Sequence, residues 1–296
     1  MLMPWVGSLV WIGMMAVPML LTSPFSPTSY KDVFPHERYS YDPSKDSPKP
    51  LGLLLGILAV AVGQVFVLLY FFCHKFGYLS FGKTPRCIQS KGARDYFFGE
   101  GVTTHLSQPE GFILIGLYLS LTWMLRLMPE SYYSFEGGIQ VPETFASLVI
   151  QDGLQYVMHR LEHAVSPTFY QKSHKPHHRF TNPRLFDAFN GSVADTICMI
   201  LIPLYSTALL VRTCNVWSYM AFGSLYGNWL VLIHSEYVFP WDGIFRRIGF
   251  GTPADHHVHH KFFKYNYGHL FMWFDQMAGT YKDPKEFTDR AFNNGV

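Results

Sequence analysis

Six apolar runs, Trp5–Leu21, Leu51–Phe72, Gly111–Met128, Thr144–Met158, Val193–Val211 and Val216–Ile233, approach the ~20 residues that a helix needs to cross a bilayer core. Lipid offers no hydrogen bonds, so a chain made of such runs must satisfy its backbone internally, as packed helices. Charged residues fill only 15% of the 296 positions, against about 25% in a soluble domain. The Thr144–Met158 run is the most polar of the six, carrying Gln151, Asp152 and Gln155. The first run lacks the basic flank of a secretory signal and reads as a retained anchor. The expected fold is all-α: an integral membrane protein of transmembrane helical hairpins with a cytosolic, helical, histidine-rich cap. Residues 1–110 are expected to form an anchor hairpin and cytosolic linker, and 111–296 the catalytic unit with two further hairpins.

Lys and Arg in short loops orient the hairpins. Loop 129–143 has Glu130, Glu136 and Glu143 and no basic residue, whereas loop 73–110 has Lys75, Lys83, Arg86, Lys91 and Arg94, and segment 159–192 has Arg160, Lys172, Lys175, Arg179 and Arg184. The latter two are therefore expected in the cytosol. Loop 23–50 balances Lys31, Arg38, Lys45 and Lys49 against Asp32, Glu37, Asp42 and Asp46 and favours neither side. Gly243–Gly251, with Ile244, Phe245, Ile248 and Phe250 beside Arg246 and Arg247, reads as a stretch lying in the interface plane. A net charge of +2 without a basic tract excludes a nucleic-acid partner. Cys73, Cys87, Cys198 and Cys214 show no CxxC spacing and read as reduced thiols.

Each catalytic hairpin re-enters the cytosol immediately before a histidine, His159 or His234. Ten of the 14 histidines lie between 159 and 260, grouped as HRLEH, HKPHH, a single His234 and HHVHH. An HxxHH triplet is expected about 0.03 times by chance at this histidine frequency, and it occurs twice. Residues three and four apart share a helix face and aim imidazoles at a common point. Pro176 disfavours helix before it, so His174 is expected to reach the site from a loop. The candidate ligands are His159, His163, His174, His177, His178, His234, His256, His259 and His260. Nine imidazoles exceed one tetrahedral shell and point to two ions with open positions. Imidazole suits iron, zinc, copper and nickel, so the ligands leave the metal open.

A metal-bound histidine usually donates its other N–H to a carboxylate or carbonyl. Asp152, two turns before His159, is the first candidate for that role, with Glu162, Glu236 and Asp255 beside it. His257 points away from the ligand face and is expected to act from behind it. His36, His74 and His105 are read as ordinary surface histidines, and His269 is left out of the site. Phe186, Phe189, Tyr226, Trp229 and Trp273 are candidate substrate walls.

These motifs, from Gln151 to Tyr281, resemble the fatty acid hydroxylase/sterol desaturase superfamily of membrane non-haem iron enzymes. His234-Ser-Glu-Tyr237 with Phe239-Pro-Trp241 is similar to the sterol C4-methyl oxidases, and Tyr265-Asn-Tyr-Gly268 to the sterol C5-desaturases. The chain departs from both: Asn182–Gly191 replaces a Pro-Thr-Pro-Phe element, and Asp255 stands where many relatives have histidine. The mixture resembles a divergent sterol-pathway branch, with squalene epoxidation the expected reaction. Sterol C5-desaturation, C4-methyl oxidation and fatty acid or sphingolipid hydroxylation are the alternatives. The resemblance implies two iron ions, dioxygen as co-substrate, electrons from cytochrome b5 or an NAD(P)H reductase, a hydrophobic lipid substrate (squalene or a sterol), and the endoplasmic reticulum membrane with the cap facing the cytosol. Outside the superfamily, the same imidazoles would serve a zinc-dependent membrane hydrolase with Glu162 or Glu236 as base, or a non-catalytic metal- or sterol-binding protein.

Overall fold

A computed structural model describes residues 4–22, 34–40, 47–79, 85–89 and 94–286. Lys31, Asp32, Asp42, Lys45, Asp46, Lys83 and Lys91, used above to orient the loops, lie outside the described residues. Among those described, the regular elements are helical, with two isolated bridges, Cys87 to Tyr237 and Phe250 to Phe271. The four cysteines are free thiols.

The first apolar run forms two helices, α1 (Pro4–Met14) and α2 (Ala16–Thr22). Pro18 causes the break, because it has no N–H to offer the carbonyl of Met14. That carbonyl instead accepts the Ser224 hydroxyl. The second run is one helix, α3 (Pro50–Lys75), started by proline at its first position, where the missing N–H costs nothing. Helix α4 (Pro109–Met124) follows in the same way.

Helix α5 (Val141–Ala164) extends the polar fourth run by a turn and a half and ends carrying His159 and His163. Gln151, Asp152 and Gln155 are buried and bonded: Gln151 accepts the Thr207 hydroxyl at 3.1 Å, and Tyr226 Oη donates to Asp152 at 2.8 Å and also contacts Gln155. The fifth run opens with Ser192 capping the N–H of Asp195 at 3.1 Å. It passes through a π-helical stretch, Thr196–Leu201, and returns to α geometry in α6 (Ile202–Leu210), where Pro203 cannot continue the donor ladder.

Helix α7 (Val216–Leu232) is the centre of the molecule, with 13 of its 17 residues buried. Helices α1, α2, α3 and α5 surround it, sealed by Phe71, Phe222, Trp229, Leu232 and Ile233. Close approach of α3 to α7 requires Gly63, since a Cβ there would stand 2.5 Å from Asn228 and Ser224 side-chain atoms. Apolar side chains on the other face of α3 point outward, with Leu54 and Leu69 each 57% exposed.

Two helical stretches, Pro50–Lys75 and Val193–Leu210, are long and apolar enough to cross a bilayer. The remaining runs are shorter, broken or more polar than that. The 242–251 segment is a short helix, Asp242–Arg247, with Ile244 and Ile248 outward and Phe245 and Phe250 packed into the core.

Candidate metal centre

At one end of the bundle, four separate segments bring all nine candidate histidines together. Helix α5 supplies His159 and His163. The turn after the short helix Pro167–Lys172 supplies His174, and a 3-10 turn supplies His177 and His178. His234 follows the end of α7, and α8 (Pro253–Phe262) supplies His256, His259 and His260.

They divide into two groups whose ligand atoms lie within 4.8 Å of one another: His159, His163, His174, His178 and His259, and His177, His234, His256 and His260. Each HxxHH motif is therefore split between the groups. His177 and His178 diverge on a tight turn, and His259 leaves His256 and His260 for the first group. Spacing alone aims the three at one side of α8, whereas the partner segments divide them.

Hydrogen bonding at the far side of the rings fixes which nitrogen is free. His159 Nδ1 donates to the carbonyl of Tyr267 at 2.7 Å, His234 Nδ1 to Leu230 at 2.6 Å, His259 Nδ1 to Tyr265 at 2.8 Å and His260 Nδ1 to Phe180 at 2.9 Å. A carbonyl oxygen can only accept, so each of these Nδ1 atoms holds the hydrogen and each Nε2 keeps a lone pair. His174 Nδ1 likewise faces the Asp195 carboxylate at 2.7 Å. Nonetheless the Nε2 atoms of His159 and His174 stand 2.8 Å apart with no hydrogen between them. Two opposed lone pairs at that distance repel unless a cation lies beside both.

The five other close Nε2 pairs, His163–His178, His259–His178, His177–His234, His234–His256 and His256–His260, stand 3.0–3.2 Å apart. Imidazole nitrogens about 2.1 Å from one ion are about 3.0 Å apart at right angles and about 3.4 Å apart at the tetrahedral angle. The donor set thus fits a pair of ions with more than four coordination positions each, which suits iron better than structural zinc.

Burial and neighbouring rings keep the imidazoles of His159, His163, His177, His178, His234, His256, His259 and His260 neutral. They hold His163 down to about 3 and His177 to about 4, and push His178, His256, His259 and His260 well below the ordinary histidine range. In the unfolded chain the same rings titrate near about 6.5. Below that pH the unfolded state binds more protons than the fold, so stability falls on acidification, until the buried rings themselves protonate. After chelation of metal, the unfolding free energy should drop from pH 6.5 to about 4 with a slope of several protons. Denaturant titration across that range measures the slope, and a value below one proton would mean that the rings are solvated.

Of the residues expected to brace the histidines, Asp152, Asp255 and Glu236 bond backbone groups instead of imidazoles. Asp152 reaches no imidazole: its carboxylate accepts the N–H groups of Leu270 and Phe271, both at 2.8 Å, because the 267–271 turn intervenes between it and the rings. Asp255 caps α8 through Thr252, its Oδ2 accepting from the Thr252 N–H at 3.0 Å, and so aims the whole HHVHH helix instead of one ring. Glu236 accepts the Leu185 N–H at 3.3 Å, tying His234's segment to the 185–187 turn. His257 turns away from both groups, between the Ser235 carbonyl at 3.1 Å and Gln89 at 2.9 Å. Glu162 is fully buried 3.7 Å from His174 Nδ1, and burial together with the Asp195 carboxylate raises its pKa to about 9.

Asp195 is the bracing acid that sequence reading missed. Its signal was an acid in the first turn of an apolar run, behind a Ser-x-x-Asp cap. Gly191 gives it room, since a Cβ there would collide with its carboxylate. The Tyr265-Asn-Tyr-Gly268 motif also gains a role: its carbonyls at 265 and 267 orient His259 and His159. Asn266, at φ 52°, shapes that turn, its side chain bonded to Asp255 and Lys282 backbone.

Of the candidate substrate walls, Tyr226 and Trp229 are core residues with their polar atoms bonded, to Asp152 and to the His269 carbonyl at 2.9 Å. Phe186 packs on Tyr96, Phe98 and His105, and Phe189 on His105 and Phe112. Trp273 stacks on Phe271 at 4.2 Å. His74 bonds the Val238 carbonyl and stays outside the site.

The fatty acid hydroxylase family model matches residues 144–280, which span the whole histidine constellation. The alternative squalene epoxidase of Phaeodactylum tricornutum is 69% identical over 293 residues, covering 99% of this chain and 84% of its own length. The lathosterol oxidase of Mus musculus is 28% identical over 76% of this chain and 74% of its own. The Delta(7)-sterol 5(6)-desaturase erg3C of Aspergillus fumigatus is 30% identical over 45% of this chain and 46% of its own. No solved structure matches. With the site and these relatives in agreement, the chain belongs to the fatty acid hydroxylase family and is an oxidising enzyme.

Proposed function

We propose that this chain epoxidises squalene with dioxygen at a pair of iron ions. The observation that carries the metal reading is the 2.8 Å approach of two imidazole lone pairs, His159 to His174, inside a cluster of nine rings, eight of them buried. The substrate rests on the 69% identity to the alternative squalene epoxidase along nearly the whole chain. His159, His163, His174, His178 and His259 would hold one ion, and His177, His234, His256 and His260 the other. Such a pair supplies redox chemistry that couples dioxygen to an alkene. One oxygen atom would enter the double bond and the other leave as water, with two electrons drawn from cytochrome b5 or an NAD(P)H reductase and two protons from water. The protein's own residues orient the ligands: Asp195 keeps the hydrogen on His174 Nδ1, and backbone carbonyls do so for His159, His234, His259 and His260. Burial of the rings excludes bulk water.

The setting supports a lipid substrate. Outward apolar residues along α3 and α4, such as Leu54, Leu69, Ile113 and Leu117, suit contact with acyl chains. In our reading the chain is a multi-pass protein of the endoplasmic reticulum membrane, its histidine end in the cytosol beside Arg160, Lys172, Lys175 and Arg179. Residues 1–110 anchor it and 111–296 form the catalytic unit, joined by the packing of α3 on α7.

Expression in a sterol-auxotrophic host lacking squalene epoxidase tests this. Growth should be restored, and squalene epoxide should carry label from heavy dioxygen. Rescue only of a C5-desaturase or C4-methyl-oxidase deficiency would reassign the substrate. Activity with zinc and without oxygen would replace the reaction class.

A further inference from the structure

One buried histidine stands between the two groups and belongs to neither. The His269 ring lies 5.2 Å from that of His159, stacked at 28°, and 5.1 Å from that of His256. It is 5% exposed, and no hydrogen-bond partner meets its Nδ1. Its nitrogens join neither group at the 4.8 Å separation that unites their members. It thus lies against one ring of each group without joining either cluster.

The backbone around it is held on every side. Asp275 accepts the N–H groups of Tyr267 at 2.9 Å and Gly268 at 2.7 Å, and Asp152 those of Leu270 and Phe271 at 2.8 Å. Trp229 Nε1 donates to the His269 carbonyl at 2.9 Å, and the Gly251 N–H to that of Leu270 at 2.9 Å. A side chain at 251 would press on the His269 carbonyl, its Cβ only 2.5 Å away, so glycine is required there. Two buried carboxylates and a tryptophan therefore aim one imidazole at the space between the groups. Buried polar nitrogens rarely lack a partner, and one so firmly placed points to a ligand. His159, His174, His234, His259 and His260 have Nδ1 pinned by an acceptor, whereas no protein acceptor pins the tautomer of His269.

We propose that His269 donates a hydrogen bond to a small anion held between the two ions, and so fixes that anion's position; this rests on the metal-pair reading above. The group is a neutral donor, not a tenth ligand, and the anion is of the oxygen-derived or pseudohalide class that two cations share.

The test uses full-length, detergent-purified protein loaded with ferric iron and titrated with azide, followed by its charge-transfer absorption. His269→Ala and His269→Phe should keep two irons per chain but bind azide about tenfold more weakly, the effect of losing one hydrogen bond to a charged group. His269→Gln, which restores an N–H donor, should recover most of that loss. The phenylalanine variant fills the ring's space and guards against a folding defect in the alanine one. Unchanged azide affinity in both would overturn the proposal, and loss of one iron would make His269 a ligand instead. A parent protein that loads no iron pair would instead bring down the metal reading, and this inference with it.

Discussion

Replacing His234 by alanine should remove about one metal equivalent per chain and lower turnover by more than about 100-fold, beyond the 10–100-fold typical of losing an outer-shell partner. The reason is the unequal division of ligands. His234 is one of four imidazoles in its group, it approaches both His177 at 3.2 Å and His256 at 3.0 Å, and its loss leaves three. His163 is one of five, only partly buried, and approaches His178 alone at 3.1 Å. His163→Ala should therefore keep both metals and lose activity by only about 10–100-fold. Elemental analysis of purified protein together with product formation separates the two. If His234→Ala retained two metals, or His163→Ala were the more damaging, the five-and-four division would be wrong.

A second large effect is expected far from any ligand atom, at Asp152. Its carboxylate takes up the N–H groups of Leu270 and Phe271 and the hydroxyl of Tyr226, each at 2.8 Å, in a fully buried position. Alanine would strand two buried N–H donors, each worth about 1–3 kcal/mol when unsatisfied, while the Tyr226 hydroxyl keeps Gln155 as acceptor. Relaxation recovers part of this, leaving a loss of about 2–4 kcal/mol and a fall in melting temperature on the order of 10 °C. Activity should fall as well, because the freed 267–271 turn carries the Tyr267 carbonyl that orients His159. Asparagine keeps the shape but turns an amide N–H toward one of the donors, so it should lie between alanine and the parent. Thermal unfolding in detergent measures this, and a Asp152→Ala midpoint within about 2 °C of the parent would show that the turn stands without it.

Asp152 also shows how far reading along the chain reaches. An acid inside an apolar run is costly enough to signal a specific task, and that much was legible from its position. Its partners were not, because the turn it holds lies 118 and 119 residues away. The same holds for Asp195: a cap position is a local feature, but its bond to His174 depends on the π-helical start of the fifth run meeting the turn after Lys172. His269 had no local signal at all. It follows a Tyr-Gly pair with no helical spacing to other histidines, and becomes central only because Asp152, Asp275 and Trp229 converge on its backbone.

Apolar runs and histidine spacing were sufficient to mark the helical stretches and to name the nine imidazoles that cluster, because both depend on the 3.6-residue period that each segment carries on its own. The division of those rings into five and four, the splitting of each HxxHH motif between two groups, and the choice of which acid braces which ring came from elsewhere. Those depend on how α5, α7 and α8 are placed against the 174–178 turn. A helical period sets the direction in which a side chain leaves its own segment, while the identity of what it meets is set by packing between segments that the chain order leaves open.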